Sequence, residues 1–122
     1  MLFAGTQDGT ILAWKSGSDT NLFELAASLK GHSGGGVSLV VGANRLYSGS
    51  MDHTVRVWDL NTLECIHTLN GHTDTVMSVI CWDYYLLSSS LDGTMKVWAE
   101  TVDGNLEVIY THNIGHVAHI ED

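Results

Sequence analysis

The alternation of apolar and polar positions is clearest at Arg45–Asp59, RLYSGSMDHTVRVWD. It predicts a strand from Leu46 to Ser50, a tight turn at Met51-Asp52-His53, and a second strand from Thr54 to Trp58. Side chains alternate along a strand, so Val55 and Val57 share one face while Thr54 and Trp58 take the other. The β-branched residues favour strand over helix. The same layout recurs upstream at Leu2–Lys15, LFAGTQDGTILAWK, and downstream at Leu86–Ala99, LLSSSLDGTMKVWA. All three copies carry D-x-T-x-x-x-W: Asp8, Thr10 and Trp14; Asp52, Thr54 and Trp58; Asp92, Thr94 and Trp98.

Further apolar runs flank these hairpins. Val37–Val41 and Val76–Trp82 read as inner strands, and Leu22–Leu29, Glu64–Leu69 and Leu106–Thr111 as outer ones. The three Trp residues fall 44 and 40 positions apart, and the pairs Gly31-His32 and Gly71-His72 fall 40 apart. A unit of about 40 to 45 residues, opened by Gly-His and closed by Trp, is the signature of a propeller blade. On these motifs the chain resembles the WD-repeat family. The resemblance implies an all-β fold: a partial β-propeller with about two complete four-stranded blades plus partial blades at both ends. The blades divide as residues 1–30 (partial), 31–70 and 71–111 (complete), and 112–122 (start of the next blade, or tail). The runs GTQDGTILAWK and GHSGGGVSLVVGANRLYSGSMDHTVRVWDLNTLECIHTLNGHTDTVMSVICWDYYLLSSSLDGTMKVW are similar to the propeller part of plant proteins that carry CCCH zinc fingers ahead of a WD-repeat propeller.

A propeller closes with about four to eight blades, so the chain reads as a fragment of a longer one. On that reading its terminal blades expose apolar faces around Ile11 and Ala13 on one side and Val97 on the other. Such a piece is expected to be marginal alone and to self-associate.

The resemblance also implies a hydrogen-bonded tetrad in each complete blade: His32, Ser48, Asp52 and Trp58, then His72, Ser88, Asp92 and Trp98. The first blade keeps Asp8 and Trp14 but has Ala4 at the Ser position and lacks its His. Ser50 and Ser90 share the strand face of Ser48 and Ser88 and are alternative hydroxyl donors. The Ser-His-Asp set has the composition of a hydrolase triad. Its occurrence twice at identical spacing, with a Trp on the hydroxyl and no Gly-x-Ser-x-Gly elbow, favours a structural role. No catalytic residue and no enzymatic activity are expected.

Composition narrows the function classes. Five basic against fourteen acidic residues give a formal net charge of −9, which repels phosphate backbones and argues against nucleic-acid binding by this segment. Cys65 and Cys81 form no CxxC pair and read as half-buried thiols in a reducing compartment. No signal peptide or membrane-length apolar run is present in the sequence; a cytoplasmic and/or nuclear protein without membrane contact is expected. The triplet Gly34-Gly35-Gly36 suggests a loop needing positive φ values, and no Gly-Lys-Ser/Thr follows to make it a phosphate loop. His112, His116 and His119 have metal-like spacing. Gly115-His116 is better explained as the opening of another repeat, so no metal or cofactor is expected.

Function is then expected on the exposed rim, where the family binds proteins and peptides. The candidate partner-binding positions are the hairpin-tip residues Gln7, Met51 and Leu91 and the inner-strand starts Gly36, Ser38, Thr75 and Met77. The expected function is a non-catalytic interaction scaffold, with protein or peptide partners and the rest of the parent propeller. The alternative is the partner-docking half of an RNA-associated CCCH zinc finger protein whose fingers lie outside this chain.

Overall fold

The structure, a computed structural model, describes residues 1–17 and 23–115. Every regular element among them is a strand: β1 (Leu2–Gly5), β2 (Ile11–Ser16), β3 (Phe23–Leu29), β4 (Gly36–Gly42), β5 (Arg45–Ser50), β6 (Val55–Asp59), β7 (Cys65–Leu69), β8 (Val76–Trp82), β9 (Tyr85–Ser90), β10 (Thr94–Glu100) and β11 (Leu106–Asn113). They form three antiparallel meanders, β1-β2-β3, β4-β5-β6-β7 and β8-β9-β10-β11. The first sheet is a three-stranded partial blade and the other two are complete four-stranded blades. β11 runs to Asn113, two residues past the Thr111 limit read from the sequence. Of the segment 112–122 expected to start a further blade, residues 112 and 113 belong to β11, and residues 116–122 lie outside the described residues.

The meanders form because each hairpin has a turn chemistry that returns the chain. In β1–β2, β5–β6 and β9–β10 the residue after the turn Asp has positive φ: 93° at Gly9, 76° at His53 and 85° at Gly93. Glycine reaches this region freely, and histidine is among the side chains that tolerate it. The following Thr then begins the return: the Thr10, Thr54 and Thr94 amides donate to the Asp8, Asp52 and Asp92 carboxylates at 2.9, 2.9 and 2.8 Å.

Two apolar layers join the sheets. Ile11 and Leu29 of the first pack on Leu46 and Trp58 of the second. Tyr47, Val55, Val57 and Leu69 of the second pack on Val76, Val79, Leu86 and Trp98 of the third. The pleat therefore sends Val55 and Val57 toward the following blade and Trp58 toward the preceding one. The same parity overturns the expected placement of Ile11 and Ala13. Both are fully buried, because they occupy the face of the first sheet that meets the second. The half-covered apolar residues on the other side of β2 are Leu12 and Trp14, and Val97, with Met95, is half-buried on the third sheet.

In each sheet the register slips by one residue beside the Trp, between Ala13 and Trp14, Val57 and Trp58, and Val97 and Trp98. The extra residue falls on the outer strand, at Ala26, Ile66 and Ile109. A bulge of this kind raises the local twist, and its repetition keeps the outer strands of successive blades alike.

The glycine triplet also departs from expectation: none of Gly34, Gly35 and Gly36 has a positive φ. Their small size serves close approach instead. A Cβ on Gly34 would stand 3.0 Å from the Asp52 amide nitrogen, one on Gly35 3.3 Å from the Gln7 carbonyl oxygen, and one on Gly36 3.4 Å from the Gly5 Cα. The first two hairpin tips crowd Gly34 and Gly35, while Gly36 meets Gly5 at ordinary contact distance.

Candidate functional site

Each complete blade contains a polar chain whose Ser, His and Trp are buried. In the second sheet, Trp58 on β6 donates its indole N–H to Ser48 Oγ on β5 at 2.9 Å. Ser48 Oγ lies 2.6 Å from His32 Nε2, and His32 Nδ1 lies 2.8 Å from Asp52 Oδ2. With the indole N–H and the ionised carboxylate fixing the two ends, the serine hydroxyl donates to Nε2 and the imidazole donates from Nδ1. The third sheet repeats the geometry: Trp98 to Ser88 at 2.9 Å, Ser88 to His72 at 2.7 Å, and His72 to Asp92 at 2.9 Å. Ser48, Trp58, Ser88 and Trp98 are all buried.

The carboxylate is the anchor. Asp52 Oδ2 also accepts the Ser33 amide at 3.0 Å, while Oδ1 accepts the hydroxyl and amide of Thr54. Asp92 is held likewise by the Thr73 amide and by Thr94. Thr54 and Thr94 recur in the sequence as D-x-T, but the bond from each hydroxyl to the carboxylate has no signature beyond that spacing. Ser50 and Ser90 do not replace Ser48 and Ser88. Ser50 Oγ donates to the carbonyls of Gly34 and Gly35 and accepts the Asp52 amide; Ser90 Oγ donates to the Asp74 carbonyl and accepts the Asp92 amide. These hydroxyls tie the incoming loop to the hairpin. In the partial first blade, Asp8 is bound by Thr6 and Thr10, and Trp14 is half-buried, with Ala4 providing no hydroxyl.

Burial would raise the Asp52 carboxyl, but hydrogen bonds from Thr54 and His32 outweigh it and bring the group down to about 2. Asp92 is lowered in the same way, burial being overcome by Thr94, His72 and the Thr73 amide. Burial lowers His32 and His72 below their ordinary value of 6.5, against the opposing pull of Asp52 and Asp92. Both kinds of group thus bind protons more readily in the unfolded chain, so acid favours unfolding. The histidine contribution is complete above about pH 6.5 and is lost as pH falls below it; the carboxylate contribution is complete above 3.8 and, for Asp52, is lost as pH falls through about 2. Urea unfolding followed from neutral to acid pH is expected to show stability declining in these two stages. A profile flat across the histidine range would contradict neutral, buried imidazoles.

The rim candidates gather at the hairpin-tip end of the sheets. Met51 and Leu91 are 58% and 51% exposed, and Gln7 is exposed as well. Gln7 and Met51 both border Gly35, and the Leu91 amide bonds the Thr75 carbonyl at 3.0 Å. Gly36, Ser38, Thr75 and Met77 are half-buried. Two of these have bonds between blades: the Gly36 amide donates to the Thr6 carbonyl at 3.2 Å, and Ser38 Oγ accepts the Val79 amide at 3.1 Å. His112 is exposed and 3.1 Å from the Tyr110 hydroxyl; His116 and His119 lie outside the described residues. Among the described residues, no three His, Cys, Asp or Glu side chains cluster as a metal site.

The model for the WD domain, G-beta repeat, matches residues 23–59 and 63–99, which include both complete Trp-Ser hairpins. The chain belongs to the WD-repeat family. WD repeats are in general non-catalytic scaffolds for protein–protein interaction. The chain is 65% identical over 118 residues to zinc finger CCCH domain-containing protein 17 of Oryza sativa subsp. japonica, covering 97% of this chain and 27% of that protein. It is 55% identical over 64 residues to zinc finger CCCH domain-containing proteins 62 and 59 of Arabidopsis thaliana, covering 51% of this chain and 15% and 14% of those proteins. It therefore spans about a quarter or less of the relatives it matches.

Proposed function

We propose that this chain is a protein-docking segment of a larger WD-repeat propeller, with the tetrads as internal braces and the hairpin-tip rim as the contact surface. The observation that carries this reading is the contrast between the two kinds of site. The Ser-His-Asp sets are sealed, with each hydroxyl engaged by an indole and an imidazole. Met51 and Leu91, by contrast, present large flexible or branched apolar side chains to solvent. Apolar residues held outward on rigid hairpins suit a protein partner, and methionine adapts to varied surfaces. The half-covered residues Leu12 and Trp14 on one end sheet and Met95 and Val97 on the other support neighbouring blades in the parent. A cytoplasmic and/or nuclear setting is part of the same proposal.

A second reading makes the segment the partner-docking part of an RNA-associated zinc finger protein. It is favoured by the CCCH zinc finger names of the relatives. The chain's own charge of −9 leaves any nucleic-acid contact to parts outside it.

The rim is tested by comparing proteins retained by the tagged chain with those retained by Met51→Glu and Leu91→Glu, using Ile109→Glu on the outer strand as control. Partners are expected to be lost from the first two variants and kept by the third. An identical set on all four would overturn the rim assignment.

A further inference from the structure

At the end of the sheets opposite the rim, a cleft of about 650 Å³ opens between the second and third blades. Its walls include Arg45, Tyr47, Asp83, Tyr84, Tyr85 and Glu100. Both walls belong to this chain, so the cleft does not depend on a neighbouring blade to be complete. Its volume falls in the usual range of a binding cleft.

Three features set the chemistry of an occupant. The first is charge: the lining includes two carboxylates, Asp83 and Glu100, and one cation, Arg45, whose guanidinium is 3.7 Å from Glu100. The second is ring surface. Tyr84 is 86% exposed at the tip of the β8–β9 turn, Tyr85 follows it on β9, and Tyr47 is buried deeper in the wall. The third is position: Asp83, with φ 57°, and Tyr84 are consecutive exposed residues of the β8–β9 turn, and both line the cleft.

We propose that this cleft docks an arginine side chain carried by a basic segment of a partner protein. A guanidinium stacks its flat face on an aromatic ring while its edge donates to a carboxylate, and it is less strongly hydrated than an ammonium. Glu100 is 51% exposed, which leaves it open to an incoming donor while it pairs with Arg45. The chain's net charge of −9 draws a basic segment in and repels a nucleic acid. This surface is separate from the rim, and its occupancy does not depend on the rim assignment.

The test is a fluorescence-anisotropy titration of the 122-residue chain with a labelled peptide of arginines spaced by glycine. The same peptide with citrulline at each arginine, and a single-stranded RNA, are the other probes. Asp83→Asn keeps a side chain that tolerates positive φ, and Glu100→Gln changes an exposed group, so both variants are expected to fold. The arginine peptide is expected to bind and the citrulline peptide to fail. Each substitution is expected to weaken binding by about tenfold, with amide shifts in the wild-type complex centred on residues 42–47 and 83–86. Equal binding of the citrulline peptide, unchanged affinity in both variants, or preferential binding of RNA would each overturn the proposal.

Discussion

Trp58→Ala is expected to cost about 3–5 kcal/mol, the range for removing a buried tryptophan, and to abolish the cooperative unfolding transition if the chain has little stability to spare. Two losses combine. The indole fills the layer between the first two sheets, where it packs with Ile11, Leu29 and Leu46. Its N–H also occupies Ser48 Oγ, and its loss leaves a buried hydroxyl short of a donor. Trp82→Ala is the control. That side chain is 65% exposed, and its removal is expected to change stability by less than about 0.5 kcal/mol. Urea denaturation of the two variants measures the difference; equal costs would show that the tetrad tryptophan does not brace the blade.

Gly9→Ala is expected to destabilise by about 3 kcal/mol or more through backbone strain and overpacking. The residue has φ 93°, and an added Cβ would overlap the His32 carbonyl oxygen and stand 2.7 Å from that of Gly34. Both obstacles are backbone of the next blade, so neither can swing aside. Gly104→Ala separates the two causes: its φ is 85°, but nothing lies within 4 Å of the new methyl. It is expected to cost only about 1–2 kcal/mol, for left-handed backbone alone. If the two variants were equally stable, the first hairpin tip would not be seated against the His32–Gly34 loop.

The hairpins were legible because three copies of D-x-T-x-x-x-W repeat the same turn and strand chemistry. The residues proposed for the tetrads could be chosen because the family's spacing is kept in both complete blades, and the structure places those atoms 2.6 to 2.9 Å apart. What sequence could not supply was which neighbour each face meets. Alternation puts Ile11 and Ala13 together, yet only the stacked sheets show that their side is the covered one. The glycine triplet departs from its expected positive φ for a related reason. A run of glycines signals either unusual φ or crowding, and the crowding at Gly34 and Gly35 comes from Met51, Asp52 and Gln7, distant in sequence. Ser50 likewise shares a strand face with Ser48, but its distance from the loop carbonyls decides its partner. The one-residue slips on the outer strands leave no mark in the apolar pattern, since Ala26, Ile66 and Ile109 resemble their neighbours. The Arg45–Glu100 pairing spans two blades and has no local signature.

The central claim is that two tryptophans are locked into sealed polar chains while the others are not. Hydrogen exchange of the four indole N–H groups, resolved by NMR, tests it most directly. Trp58 and Trp98 are expected to exchange slowly, at the rate of the most protected backbone amides, because each proton is held by a buried serine. Trp82 is expected to exchange fast, and Trp14, which has Ala4 where the others have serine, is expected to exchange faster than Trp58 and Trp98. Fast exchange at Trp58 and Trp98, or protection at Trp14 equal to theirs, would contradict the account.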